Sequence, residues 1–212
     1  LLLRARRRRR SGGQPVSWSL VYEAYDPAEE GLREALCTLG NGYFATRGAA
    51  PESPADDVHY PGTYAAGVFN RLEEELSGRT IDNESIVNLP NWLPFTFRIE
   101  DGQWFSLDDA ELLEYVEELD MRAAILTRRL RYRDAEGRTT AVTQRRLVSM
   151  ESPHVAALQT SILPEDWSGK LTVRTGVDGG VRNWLVPRYR TLRSKHLDVV
   201  SATVSTEDTV LV

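Results

Sequence analysis

Apolar and β-branched residues in this chain come in short bursts, each closed by Gly, Pro, Asn or Asp. That punctuation suits many short strands and leaves little room for long helices. Trp18–Tyr25, Thr63–Phe69, Ile81–Leu89, Phe95–Ile99, His154–Leu163, Lys170–Val177, Leu197–Val204 and Thr209–Val212 each fit a strand. The clearest hairpin joins Leu126–Tyr132 to Thr139–Val148 through the turn chemistry of Asp134-Ala135-Glu136-Gly137. Leu126, Leu130 and Tyr132 share one parity and Arg129, Arg131 and Arg133 the other, while Arg128, Gln144 and Arg146 break a clean alternation of inside and outside. Regularly spaced short strands imply an all-β, antiparallel sandwich.

Four segments depart from that pattern. Residues 29–39 suit either a short helix or a strand leading into Gly40-Asn41-Gly42. Residues 49–61 hold three prolines and read as an exposed loop, and 71–78 as a polar excursion. In 108–119, Leu112, Leu113, Val116 and Leu119 fall at helical spacing behind Asp108 and Asp109, so this stretch alone reads as a helix. Asp101-Gly102 fits a tight turn.

The 212 residues are enough for one large domain, and no internal repeat or compositional break marks a second. The formal charge is −5, but six cations sit in Arg4 and Arg6–Arg10, so residues 11–212 carry −11. An acidic body is unsuited to nucleic acid, whose phosphates need clustered positive charge. Residues 1–15 read as a disordered basic tail or the remnant of an upstream segment, and 16–212 as the domain. A start at Leu1 and a strand-like Thr209-Val210-Leu211-Val212 suggest a piece of something longer. No apolar run reaches membrane-span length, and the single cysteine, Cys37, excludes an internal disulfide.

Chemistry-bearing residues are scattered. His59, His154 and His196 lie in unrelated segments, without metal-ligand spacing to one another or to Cys37, so no metal site is expected. There is no nucleophile elbow and no phosphate loop. Carboxylates abound, but only Asp120 and Asp178 stand in segments with a specific look. Asn88-Leu89-Pro90-Asn91-Trp92 sets two amides and an indole beside a proline, a combination that either binds sugar hydroxyls and stacks a ring or simply braces a loop.

Six blocks, in order, resemble the N-terminal domain of glycoside hydrolase family 65, which holds maltose, trehalose and kojibiose phosphorylases and trehalose hydrolases. They are Leu39-Gly40-Asn41-Gly42-Tyr43-Phe44 with Arg47-Gly48; Gly62 to Asn70 (GTYAAGVFN); Val87 to Trp92 (VNLPNW); Leu119-Asp120-Met121 with Leu126-Thr127-Arg128; Arg146-Leu147-Val148-Ser149; and Asp178 to Asn183 (DGGVRN).

The resemblance implies an antiparallel β-supersandwich like that of galactose mutarotase, and extended backbone up to Leu119-Asp120. It implies that the catalytic acid and the phosphate site belong to a separate (α/α) barrel, so this chain is expected to hold no catalytic residue and to be inactive alone. Tyr64, Asn70, Asn88, Asn91 and Trp92 are then candidates for the domain interface or for substrate contact. Gly40, Asn41, Gly42, Arg47, Asp120 and Asp178 are candidates for structural roles, with Asp120 or Asp178 as the carboxylate partner of Arg47. The implied partners are the barrel, an α-linked glucose disaccharide and a second copy of the chain. Inorganic phosphate enters only as co-substrate, and the implied location is the cytoplasm. A free-standing carbohydrate-binding or interaction sandwich is the alternative. A mutarotase-like enzyme, with His59 or His154 beside Glu84, is the third reading.

Overall fold

The computed structural model describes residues 17–76, 78–183 and 194–201. Among the described residues, twelve strands and one short helix follow one another: β1 (Ser19–Tyr22), α1 (Glu30–Leu36), β2 (Leu39–Gly40), β3 (Phe44–Thr46), β4 (Thr63–Ala65), β5 (Phe69–Leu76), β6 (Arg79–Ile86), β7 (Phe95–Ile99), β8 (Glu111–Asp120), β9 (Ile125–Arg133), β10 (Thr139–Val148), β11 (Ala156–Pro164) and β12 (Leu171–Thr175). A five-stranded sheet in the order β1-β8-β9-β10-β11 dominates. Smaller sheets β2-β3-β4, β7-β12 and β5-β6 complete an all-β architecture in which every pairing is antiparallel.

The large sheet turns one face inward. Tyr115, Glu117 and Leu119 of β8, Leu126, Arg128, Leu130 and Tyr132 of β9, and Val142, Gln144, Arg146 and Val148 of β10 are all buried. Two apolar clusters result. Phe97, Phe105, Tyr115, Leu130, Tyr132 and Val142 form one, and Cys37, Leu39, Leu119, Leu126 and Val148 the other. The polar residues that broke the alternation lie between them, on the inner face. In register, Glu117 faces Arg128 and Arg128 faces Gln144.

Several expectations are corrected. Residues 111–120 are strand, not helix. A bulge between Leu112 and Glu114 adds one residue, and Val116, opposite Arg129, lies on the other face of the strand from the buried Leu119, so apolar residues of both faces together imitate a helical spacing. The stretch 71–78 is no excursion, because β5 pairs with β6 along its whole length. Its polar, largely exposed side chains hide the strand, and cross-strand pairs such as Arg71 with Glu84 support it. Thr63–Phe69 is not one strand: Gly67, at φ 78°, breaks β4 from β5. Leu197–Ser201 has no strand pairing, and the readings for 202–204 and 209–212 fall outside the described residues. Of the two options for 29–39, the helix forms.

Candidate functional site

The β4 start, the segment after β6 and the segment after β12 converge. Asn88 ties them together: Oδ1 accepts from Thr63 N at 2.9 Å, and Nδ2 donates to the carbonyls of Pro61 (3.4 Å) and Arg182 (3.0 Å). Asn183 closes the loop, accepting from Asn88 N at 2.9 Å and donating to Ile86 O at 2.6 Å. Asn91 and Asp178 exchange both backbone hydrogen bonds at 2.8 Å. Asn91 Oδ1 caps Leu93 N, and Asp178 Oδ1 accepts from Gly180 N in a side-chain-closed turn. Three blocks distant in sequence thus form one rigid junction, and its amides are spent on backbone.

Beside the junction lies a cleft of about 590 Å³, lined by Asp56, Asp57, Tyr60, Asp178, Arg182 and Asn183 among others. Its size suits a small ligand. Tyr60 and Tyr64 join through their hydroxyls at 2.9 Å. Trp92 is half-buried, and its indole Nε1 is buried without a partner. Asn70 lies elsewhere, at the start of β5, with Nδ2 3.3 Å from His196 Nδ1.

Arg47 has a different carboxylate partner from the two expected. Its guanidinium lies 3.6 Å from Glu34, donates to the carbonyls of Tyr60 (2.9 Å) and Gly31 (2.9 Å), and covers the Tyr60 ring. Asp178 is occupied as above, and Asp120 closes the β8–β9 turn by accepting from Arg122 N and Ala123 N. Gly62 lets Arg47 approach, since a Cβ there would sit 2.7 Å from Arg47 Cδ and 2.8 Å from Tyr64 Oη. Gly40, Asn41 and Gly42 belong to the β2–β3 turn. Gly42 takes φ 85°, and Asn41 donates to the carbonyls of Ser149 (2.6 Å) and Pro153 (3.1 Å), clamping this turn to the one between β10 and β11.

Sequence reasoning missed the ionic interior. Glu34 Oε1 meets His59 Nδ1 at 2.9 Å, and His59 Nε2 lies 3.2 Å from Tyr25 Oη. Burial alone would lower the His59 pKa, but the hydrogen bond and charge of Glu34 outweigh it and raise it. Glu117 is pushed up to about 7, first by desolvation. The only hint in the sequence was polar residues at inward parity in strong strands. The His–Glu pairing differs from the one a mutarotase-like site was expected to show. Glu84 instead pairs with Arg71, and His154 stands edge-on to Tyr43. His59 has both ring nitrogens engaged and is 2% exposed, so it presents no free base to the cleft. Among the described residues no group of three His, Cys, Asp or Glu side chains is placed to hold a metal, and no helix is long and apolar enough to cross a membrane.

In this antiparallel fold, three of the six blocks meet at one junction beside a cleft. The family model "Glycosyl hydrolase family 65, N-terminal domain" matches residues 20–212, and the chain belongs to that family. It is 55% identical over 194 residues to an uncharacterised glycosyl hydrolase of Mycobacterium tuberculosis, covering 92% of this chain and 15% of that protein. It is 37% identical over 180 residues to a trehalose 6-phosphate phosphorylase of Lactococcus lactis, covering 82% of this chain and 23% of the relative. The chain therefore spans between about one seventh and one quarter of the length of these relatives. A solved structure assigned as a kojibiose phosphorylase from the human microbiome shares the fold, with a TM-score of 0.61 at 20% identity over 68% of this chain and 19% of that one.

Proposed function

We propose that this domain serves an α-glucoside phosphorylase or hydrolase without supplying its catalytic groups. The observation that carries the reading is the junction of Asn88, Asn91, Asp178 and Asn183. Its polar side chains hold backbone in place rather than converge on a reacting atom. Such a junction is suited to fix loops against a neighbouring module and to shape the entrance of a site built there. The partner is a helical (α/α) barrel in the same protein, which provides the general acid. That acid protonates the glycosidic oxygen of an α-linked glucose disaccharide while phosphate, or water in a hydrolase, attacks the anomeric carbon. Tyr64, Asn70 and Trp92 contribute to the domain interface or to the rim of the substrate site, and the buried Asn88 and Asn91 act there by holding their loops in place. Inorganic phosphate is a co-substrate in the phosphorolytic case, and no other cofactor is required. We place the enzyme in the cytoplasm, where a sugar phosphate product is retained, and as a homodimer.

The test is an assay of the full-length protein on trehalose, maltose and kojibiose, with and without inorganic phosphate. Phosphate-dependent release of a glucose phosphate identifies a phosphorylase, and phosphate-independent glucose release a hydrolase. Residues 1–212 alone are expected to turn over none of these sugars. Turnover by the isolated chain would overturn the reading. So would sugar binding by the chain as a complete, independent protein, which would favour the free-standing sandwich.

A further inference from the structure

The inner face of the large sheet holds a row of charges that the accessory-domain reading leaves unused. Glu117, Arg128 and Gln144 stand side by side across β8, β9 and β10, and Arg146 lies two residues further along β10. All four are at most 5% exposed. Arg128 donates to Gln144 Oε1 through Nε (3.1 Å) and Nη2 (2.6 Å), and Nη2 also reaches Glu52 Oε2 at 2.5 Å. Arg146 donates to the carbonyls of Arg47 (2.9 Å) and Ala49 (2.7 Å). Two charged donors remain: Arg128 Nη1 and Arg146 Nε are buried without an acceptor. Among the described residues, no salt bridge reaches Glu117.

These groups line a common cavity. Glu117, Arg128, Gln144 and Arg146 supply its polar lining, and Pro51, Leu126 and Leu158 are among its apolar lining. The cavity offers about 10 Å³ to the centre of a water molecule, which is room for one. We propose that it is a binding site for a single internal water, which accepts from Arg128 Nη1 and Arg146 Nε and donates to the Glu117 carboxylate.

The chemistry selects water over the other small occupants. Water offers two acceptor sites for two guanidinium N–H groups and still has protons to give the carboxylate. A halide would satisfy the arginines but has no proton to give Glu117. An ammonium ion would satisfy Glu117 but face two guanidinium groups. Cavities that stay dry are lined by apolar groups, and this one carries two orphaned charged donors. The site also has a structural consequence. The segment Arg47–Glu52 supplies three acceptors to the row and runs directly into Pro54–Tyr60, which lines the cleft. The water is thus part of the floor on which the cleft loop rests.

The test is a crystal structure of the 212-residue chain at a resolution that orders water, repeated after a bromide soak with anomalous data. A spherical peak within about 2.7–3.2 Å of both nitrogens, without anomalous signal, is expected. An anomalous peak there, no density at all, or Glu117 in direct contact with Arg146 would each overturn the proposal. Oxygen-17 relaxation dispersion gives an independent readout in solution. The long-lived water count is expected to stay the same in Glu117→Gln, which keeps an acceptor, and to fall by one in Glu117→Leu. An unchanged count in Glu117→Leu would also overturn it.

Discussion

Glu34 and His59 meet at 2.9 Å, both side chains being at most 2% exposed, and this contact locks α1 to the loop that borders the cleft. Glu34 also accepts from Tyr60 N at 2.9 Å and lies 3.6 Å from Arg47, so one carboxylate organises three groups of that loop and its neighbour. Burial works against the imidazolium, and Glu34 reverses that sign. The His59 pKa, followed by NMR, is therefore expected above the ordinary 6.5 in the native protein and lower in Glu34→Gln, where only the weaker pull of Asp56 and Glu30 still opposes desolvation. Because the folded pKa is raised, the stability this pair contributes is complete below 6.5 and is lost as pH rises through the folded value.

Glu52 and Arg128 form a second buried pair, with side-chain exposures of 1% and 5%. Removing one partner strands a charge in the interior, which typically costs about 3–5 kcal/mol. Glu52→Ala is expected to lose that much in urea unfolding, because Arg128 keeps Gln144 but loses its carboxylate. The double change Glu52→Ala with Arg128→Met removes the stranded charge, and it is expected to recover at least half of the loss.

The strand-rich class, the β9–β10 hairpin and the turn at Asn41-Gly42 were legible because alternation and turn chemistry are local signals. The β8 strand was legible only through the family resemblance, because the bulge after Leu112 and the apolar Val116 on the outer face break the period of two. The ionic interior was hidden for a related reason. Arg128, Gln144 and Arg146 occupy inward positions, which from sequence alone looks like a flaw in the alternation rather than a buried row. Nor does sequence order reveal that Arg47 meets Glu34, since the pair depends on how α1 folds back across β3 and the loop after it. The blocks at Val87–Trp92 and Asp178–Asn183 were recognisable as motifs, but only the fold shows that Asn88 and Asn183 bind one another's segments.

Asn88 is the keystone of that junction, and its two ends have distinct duties. Asn88→Asp keeps the acceptor for Thr63 N but replaces a donor to two carbonyls with a carboxylate facing them. Leaving buried acceptors unpaired costs about 1–3 kcal/mol, and more when a charge is involved. Asn88→Asp is expected to lose more stability than Asn88→Ala at neutral pH. Hydrogen exchange is expected to accelerate at the backbone amides of Thr63 and Gly180 on either side of the junction. An Asn88→Asp variant as stable as Asn88→Ala would show that the carbonyls of Pro61 and Arg182 do not oppose a carboxylate at this position.

Glu117 gives the interior a pH dependence whose sign can be worked out. Desolvation holds its folded pKa up near 7, against 4.5 for an ordinary glutamate. Between those values the native state keeps a proton that the unfolded chain has released, so unfolding becomes easier as pH rises. The associated stability is full below about 4.5 and is lost through about 7, a total on the order of 3 kcal/mol. Glu117→Gln removes the titration while keeping the shape. Urea unfolding of both proteins from pH 4.5 to 8 should show the variant gaining on the native chain by about that amount as pH increases. Groups such as His59 titrate in both proteins, so the difference between the two curves isolates Glu117. Parallel curves would mean that Glu117 ionises in the fold as readily as it does in water.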